Sequence, residues 1–128
     1  MNGYLLDTHT AIWFFNGDNA LPQSVNEIIR DFNNPIYLSM ASAWELAIKI
    51  GIGKLKFCGK AAGFIRLATE NDITIMNIKS EHLTILETLP HIHRDPFDRL
   101  LIATAISEQM TLITADENIV KYNVPHLW

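Results

Sequence analysis

The stretch YLLDTH, residues 4–9, is the part of the sequence that decides the fold. Its first three residues are apolar, and Asp7 follows them directly. A short run that is apolar throughout is typical of a buried strand in a parallel sheet. An aspartate in the next position is favoured as the cap of a helix. The stretch therefore predicts a strand that passes straight into a helix, with a carboxylate at the junction.

The alternation of strand and helix continues along the chain. Apolar runs bounded by turn residues predict further strands at 36–38, 73–76 and 111–114, with an edge strand at 124–127. Helical spacing and capping residues predict helices between them, at 11–15, from Pro22, at 39–52, at 60–70, from Ser80, from Asp95 to about Gln109, and from Asp116. This order predicts an α/β fold, with a central parallel sheet of four to five strands covered by helices on both faces.

The composition narrows the class of protein. With 128 residues, of which 48% are hydrophobic and 19% charged, the chain fits a single globular domain over residues 1–128. No apolar run approaches the length of about 20 residues that a membrane span needs, and the first residues do not resemble a signal peptide. Cys58 is the single cysteine, so an internal disulfide is excluded and a cytoplasmic location is expected. The net charge of −4 argues against a broad basic surface for nucleic acid, unless bound metal ions reverse the local field.

Four acidic residues from separate elements are expected to meet at one edge of the predicted sheet. Asp7 ends the first strand, and Asp116 follows the fourth. Asp98 and Glu45 fall in the first and second turns of their helices. In a right-handed strand–helix–strand unit the carboxyl ends of the strands and the amino ends of the helices share one edge. All four carboxylates therefore map to the edge where open α/β sheets place their ligands.

Like charges brought together repel each other, and a divalent cation removes the conflict. Carboxylates without a cysteine or histidine set at ligand spacing favour a hard ion, Mg²⁺ or Mn²⁺. Each acid also has an ordinary structural explanation. Asp7 and Asp116 suit helix caps, and Asp98 suits the positive end of a helix dipole. Glu45 and Lys49 are spaced as an exposed helical ion pair.

Four ordered motifs resemble those of PIN-domain nucleases, and in particular the VapC-like toxins of bacterial and archaeal toxin–antitoxin pairs. They are LLDTH at 5–9, SAWEL at 42–46, HRDPFDRLLIA at 93–103 and TAD at 114–116. The first and last are short, whereas the DPFDR block is fairly specific. The resemblance extends from Leu5 to about Trp128 and implies a three-layer sandwich around a parallel sheet.

The same resemblance implies a metal-dependent endoribonuclease. One or two Mg²⁺ or Mn²⁺ ions would activate a water that hydrolyses RNA phosphodiesters, leaving a 5′-phosphate and a 3′-hydroxyl. The catalytic metal ligands implied are Asp7, Glu45, Asp98 and Asp116. The hydroxyls of Thr8 and Thr114 would orient these acids. The implied partners are RNA, a cognate antitoxin and a second copy of the chain in a homodimer, with no membrane.

Residues near the acids carry further hypotheses. Asp95 is expected to cap its helix and to support the metal ligands, although it is close enough in sequence to Asp98 to reach the same ion. For Arg99, a contact with a phosphate and a pair with Asp95 both stay open. The pair His91 and His93 lacks a third ligand at recognisable spacing, so a zinc site is not predicted.

Two surface hypotheses also stay open. The consecutive aromatic residues 13–15 either pack between the sheet and a neighbouring helix or partly form a partner surface. A thin basic stretch either guides RNA or is a solvated face; it comprises Lys49, Lys54, Lys56, Lys60 and Arg66. The alternatives to a ribonuclease are a metal-dependent phosphatase or DNA nuclease, and a catalytically silent module that keeps the fold.

Overall fold

Strands and helices alternate in the computed structural model, which describes residues 3–128. Residues 1 and 2 of the predicted domain lie outside this described part. The strands are β1 Tyr4–Leu6, β2 Ile36–Ser39, β3 Ile73–Met76, β4 Thr111–Ile113 and β5 His126–Leu127. The helices are α1 Thr8–Asn16, α2 Gln23–Arg30, α3 Met40–Gly51, α4 Lys60–Glu70, α5 Ser80–Thr88, α6 Pro96–Glu108 and α7 Glu117–Val120.

The five strands form one sheet in the order β3-β2-β1-β4-β5, and every pairing is parallel. The chain runs outward from β1 through β2 to β3, and then returns to place β4 on the other side of β1. The direction of the strand order therefore reverses between β1 and β4. Ligands of open α/β sheets bind outside the carboxyl ends of the strands at such a reversal.

The core has one apolar cluster on each face of the sheet. Leu6 belongs to the cluster under α1–α4, whereas Leu5 belongs to the cluster under α5–α7. Successive side chains of a strand point to opposite faces, so a strand covered on both faces must be apolar at both positions. Both leucines are fully buried, which explains the uninterrupted apolar run at the start of the sequence. The predicted parallel sheet covered by helices on both faces is confirmed.

Element boundaries differ from the prediction where capping decides them. Helix α1 begins at Thr8 rather than at residue 11, because the Asp7 side chain accepts a hydrogen bond from the backbone of Thr10. The edge strand is limited to His126–Leu127. Pro125 before it has no N–H to donate, and only its carbonyl pairs with Leu112. None of the helices over residues 3–128 is both long enough and apolar enough to cross a membrane.

Candidate metal centre

An open cleft of about 400 Å³ lies where the sheet order reverses. The four predicted acids all line it, together with one further carboxylate. The acids are Asp7, Glu45, Asp95, Asp98 and Asp116. Its basic side chains are those of Lys49, His9 and His93. The convergence predicted from strand and helix order is therefore present in the structure.

Asp7 is buried at the floor of the cleft, with 6% of its surface exposed. One carboxylate oxygen accepts from the Thr10 N–H at 2.7 Å, and the other accepts from the Thr114 hydroxyl. Burial raises the pKa of Asp7, and the hydrogen bonds from these threonines act in the opposite direction. The Thr114 hydroxyl also accepts from the Asp116 N–H at 3.0 Å. Thr114 therefore connects two of the acids, and the orienting role at a metal ion that the family resemblance implies for it stays a prediction.

Glu45 is the most buried acid of the cleft, with 3% exposure. The Thr8 hydroxyl donates to Glu45 Oε1 at 2.7 Å, and it lies 2.9 Å from the Ser42 hydroxyl. Lys49 Nζ lies 2.7 Å from Glu45 Oε2, and this hydrogen bond raises the pKa of the Lys49 amine. The predicted Glu–Lys pair exists, but its carboxylate is buried in the cleft rather than solvated. Both oxygens of Glu45 are fixed by these contacts.

Asp98 shows the electrostatic conflict of the cleft most directly. Burial is the largest of the effects that raise its pKa to about 6. The negative charges of Asp95, Glu45 and Asp116 act in the same direction. The hydrogen bond with His93, whose Nε2 lies 2.8 Å from Asp98 Oδ2, opposes them. Burial and the neighbouring carboxylates together therefore favour the protonated form of Asp98.

Asp95 and Arg99 contact different parts of the chain. Asp95 caps α6, since its Oδ1 accepts from the N–H groups of Phe97 and Asp98 at 2.8 and 3.1 Å. Arg99 donates instead to the Pro90 carbonyl at 2.9 Å and to the Tyr122 hydroxyl at 3.0 Å. Of the two alternatives left open for Arg99, the structure does not form the pair with Asp95, because the guanidinium reaches back to the loop before α6. Arg99 therefore supports the loop before α6, which carries His93. A contact with a phosphate stays a prediction.

His93 is the site residue that the sequence analysis missed. Its Nε2 lies 2.8 Å from Asp98 Oδ2 and 3.9 Å from Asp116 Oδ2. These three residues form a group able to hold a metal ion among residues 3–128. His91, two residues earlier, is exposed. The sequence analysis weighed His91 and His93 only as a possible zinc pair, and so it did not identify that His93 faces the acids.

The aromatic residues 13–15 divide between core and cleft. Phe14 is buried, and Phe15 packs edge-on against Phe64 with ring centroids 5.5 Å apart. Trp13 is half-buried, lines the cleft, and lies 5.7 Å from the Trp128 ring. The packing hypothesis therefore holds for the two phenylalanines, while the partner-surface hypothesis stays a prediction for Trp13.

The basic stretch does not form a continuous free surface. Lys49 pairs with Glu45, and Arg66 lies 3.8 Å from Glu70. Lys54, Lys56 and Lys60 are exposed. A role for these three lysines in guiding RNA stays a prediction.

Comparisons with known proteins agree with this architecture. No curated protein sequence gives a significant match. Three solved structures share the fold. VapBC2 from Rickettsia felis, bound to a DNA fragment from its promoter, is 18% identical, with 97% of this chain and 96% of that chain covered and a TM-score of 0.73. FitAcB from Neisseria gonorrhoeae is 18% identical, with coverages of 98% and 96% and a TM-score of 0.64. A toxin–antitoxin complex from Klebsiella pneumoniae is 17% identical, with coverages of 98% and 96% and a TM-score of 0.64. At these identities the likeness shows the fold. The family model of the PIN domain matches residues 4–125, so the chain belongs to the PIN domain family.

Proposed function

We propose that this chain is a cytoplasmic, metal-dependent endoribonuclease that acts as the toxin of a toxin–antitoxin pair. The observation that carries the proposal is the meeting of four carboxylates from separate elements in one cleft of a PIN domain. The proposed catalytic metal ligands are Asp7, Glu45, Asp98 and Asp116. Two of the structural neighbours support the biological role, since one is a toxin–antitoxin complex and another is VapBC2 bound to DNA from its promoter.

The donor set fits Mg²⁺ or Mn²⁺. Both ions prefer oxygen ligands, and the cleft offers five carboxylates against one lysine and two histidines. Burial is the main reason that the pKa of Asp98 is raised, and the charges of Asp95, Glu45 and Asp116 add to it, which supports a need for positive charge in the cleft. A bound divalent cation supplies positive charge and lowers the pKa of coordinated water, which makes water a nucleophile at neutral pH.

The chain's own residues prepare the site by fixing its carboxylates. Thr114 and the backbone of Thr10 hold Asp7, and Thr8 and Lys49 hold Glu45. Acids that are already oriented need no reorganisation when a metal ion and a phosphodiester enter. Asp95 contributes by starting α6, which places Asp98 in the first turn of that helix.

The test is cleavage of a single-stranded RNA oligonucleotide in Mg²⁺ or Mn²⁺, with a DNA oligonucleotide and a phosphate monoester assayed in parallel. We expect RNA cleavage that EDTA stops and that Asp7→Asn and Asp98→Asn each abolish. Circular dichroism must show both variants folded. Glu87→Gln, which removes an exposed carboxylate from α5, serves as the matched control and should keep wild-type activity. Activity that persists in both aspartate variants refutes the site, and hydrolysis of DNA or monoester alone refutes the substrate.

An antitoxin is the proposed regulatory partner. Trp13 at the cleft is half-buried and contacts His9, with ring centroids 5.8 Å apart. A partner segment entering the cleft would shield this indole from a soluble quencher. Co-expression with a candidate antitoxin should suppress RNA cleavage and reduce the quenching of Trp13 fluorescence. Unchanged quenching in a complex that is inhibited places the partner elsewhere.

A second copy of the chain is the proposed occupant of an exposed apolar stripe on α3. The stripe consists of Met40, Trp44, Ile48 and Ile52, which are 36%, 56%, 40% and 61% exposed. Spacing of four residues places them along one side of the helix. Contiguous apolar surface of this kind marks an interaction site. Sedimentation should show a dimer that Trp44→Lys converts to monomer, and a monomeric wild-type chain refutes the pairing.

A further inference from the structure

We propose that the His93 imidazole is an additional ligand of the metal ion in the cleft, so that the site combines nitrogen with carboxylate oxygen and favours Mn²⁺ over Mg²⁺. This inference rests on the proposed function, because it concerns the same ion. It adds a residue and an ion preference that the four acids do not supply.

The spacing of the donor atoms carries the assignment. His93 Nε2 lies 2.8 Å from Asp98 Oδ2 and 3.9 Å from Asp116 Oδ2. The three donor atoms all lie within 4.8 Å of one another. Around an octahedral ion with bonds of about 2.1 Å, adjacent ligand atoms are separated by about 3.0 Å and opposite ones by about 4.2 Å. The two distances from His93 fall close to this range.

The loop that carries His93 is held in place by a buried side chain. The Tyr122 hydroxyl accepts from the N–H groups of Ile92 and His93 at 3.1 and 2.9 Å, and it donates to the Pro90 carbonyl at 2.9 Å. Tyr122 is 4% exposed, and Arg99 donates to both its hydroxyl and the Pro90 carbonyl. This second observation separates His93 from an ordinary surface histidine, because the Tyr122 hydroxyl makes four hydrogen bonds and one of them holds the His93 backbone.

Ligand chemistry then decides the ion. Mg²⁺ is held almost entirely by oxygen, whereas first-row transition ions also bind imidazole nitrogen. A ligating imidazole binds through the Nε2 lone pair, so the ring proton resides on Nδ1 and Nε2 contacts the ion instead of Asp98. The nitrogen ligand therefore increases the preference for Mn²⁺.

The experiment is pulsed electron paramagnetic resonance of Mn²⁺ added to the full chain, which detects magnetic coupling to directly bound nitrogen. We expect nitrogen coupling in the wild type, and its replacement by the ¹⁵N signature in protein labelled with ¹⁵N-histidine. His93→Gln should abolish the coupling and weaken Mn²⁺ binding by a larger factor than Mg²⁺ binding in calorimetry. His91→Ala is the matched control that should retain the coupling, since His91 is exposed. His9→Ala tests the other histidine that lines the cleft, which lies outside the donor group, and it should also retain the coupling.

The outcomes separate this inference from the proposed function. Mn²⁺ that binds without histidine coupling overturns the role of His93 and leaves an all-carboxylate site intact. Coupling that survives in His93→Gln but disappears in His9→Ala also overturns it. Failure of Mn²⁺ to bind at all refutes the metal centre, and His93 ligation with it. The ¹⁵N measurement needs no substitution, so poor folding of His93→Gln does not rescue the inference.

Discussion

Replacing Asp98 with asparagine should stabilise the protein when metal is absent, although the same change should abolish cleavage. Asparagine keeps the shape of the side chain and removes its charge. The pKa of Asp98 rises from 3.8 to about 6 on folding, mainly through burial, and the side chain is only 16% exposed. Each pKa unit corresponds to about 1.4 kcal/mol, so ionised Asp98 destabilises the fold by about 3 kcal/mol. This is an upper figure, since asparagine also weakens the contact with His93.

The sign of the pH dependence follows from proton binding. Between pH 4 and 6 the folded state holds the Asp98 proton more tightly than the unfolded state does, so the wild-type free energy of unfolding falls as pH rises. Below about pH 3 the carboxyl is protonated in both states, and the penalty for an ionised Asp98 is absent. Above about pH 7 it is ionised in both states, and the whole penalty applies. The advantage of Asp98→Asn should therefore be small at pH 4 and reach its maximum near pH 7.

Urea denaturation in EDTA at a series of pH values, followed by circular dichroism, measures this difference. Glu87→Gln removes one exposed carboxylate and should stay within about 0.5 kcal/mol of the wild type at every pH. An Asp98→Asn variant that is less stable than the wild type at pH 7, or a difference that does not vary with pH, contradicts the argument. Either result would mean that the cleft already neutralises Asp98.

Three further predictions concern the same cleft. Mn²⁺ at 100 times its dissociation constant should stabilise the wild type by about 2.7 kcal/mol. This should raise the melting temperature by roughly 10 °C. A melting temperature that Mn²⁺ does not change would count against the site. Thr8→Val leaves the buried Oε1 of Glu45 without its hydroxyl donor, while Lys49 still donates to Oε2, and it should cost about 1–3 kcal/mol in urea denaturation. Thr69→Val on the exposed side of α4 should cost less than about 0.5 kcal/mol. Tyr122→Phe removes the acceptor of two loop amides, so their hydrogen exchange should accelerate, and unchanged exchange would show that the hydroxyl does not hold the loop.

The elements that the sequence predicted well are those decided by local pattern. Leu5 and Leu6 lie against opposite faces of the sheet, so a strand that is buried on both sides appears in the sequence as the uninterrupted apolar run 4–6. The DPFD block at 95–98 likewise predicts the start of α6, because a capping residue, a proline and an acid all lie within one helical turn. Once the strands and helices are ordered, the handedness of their connections places the acids at one edge.

The residues that the sequence analysis misplaced depend on contacts between distant segments. His93 faces the acids because Tyr122, far along the chain, holds its loop, and no local pattern around residues 91–93 reports this contact. For Arg99 the sequence left a phosphate contact and a pair with Asp95 open, and neither alternative included the hydrogen bonds that its guanidinium makes to the same loop. His93 lies in the loop before α6, and Arg99 reaches that loop from the first turn of α6. The hydrogen-bond partners of both residues are set by tertiary packing rather than by periodicity.

Helix capping and metal binding were treated from the sequence as competing explanations of the acids, and the structure shows why they are compatible. A carboxylate has two oxygens, and Asp116 uses Oδ1 to cap α7 while its Oδ2 lies 3.9 Å from His93 Nε2. Asp7 likewise caps α1 with one oxygen and accepts from Thr114 with the other. Capping fixes each carboxylate and places it near the positive end of a helix dipole, which partly offsets the repulsion between the acids. The geometry that starts these helices therefore also assembles the donor set, and residues that cap helices at the reversal point of such a sheet are suited to hold an ion.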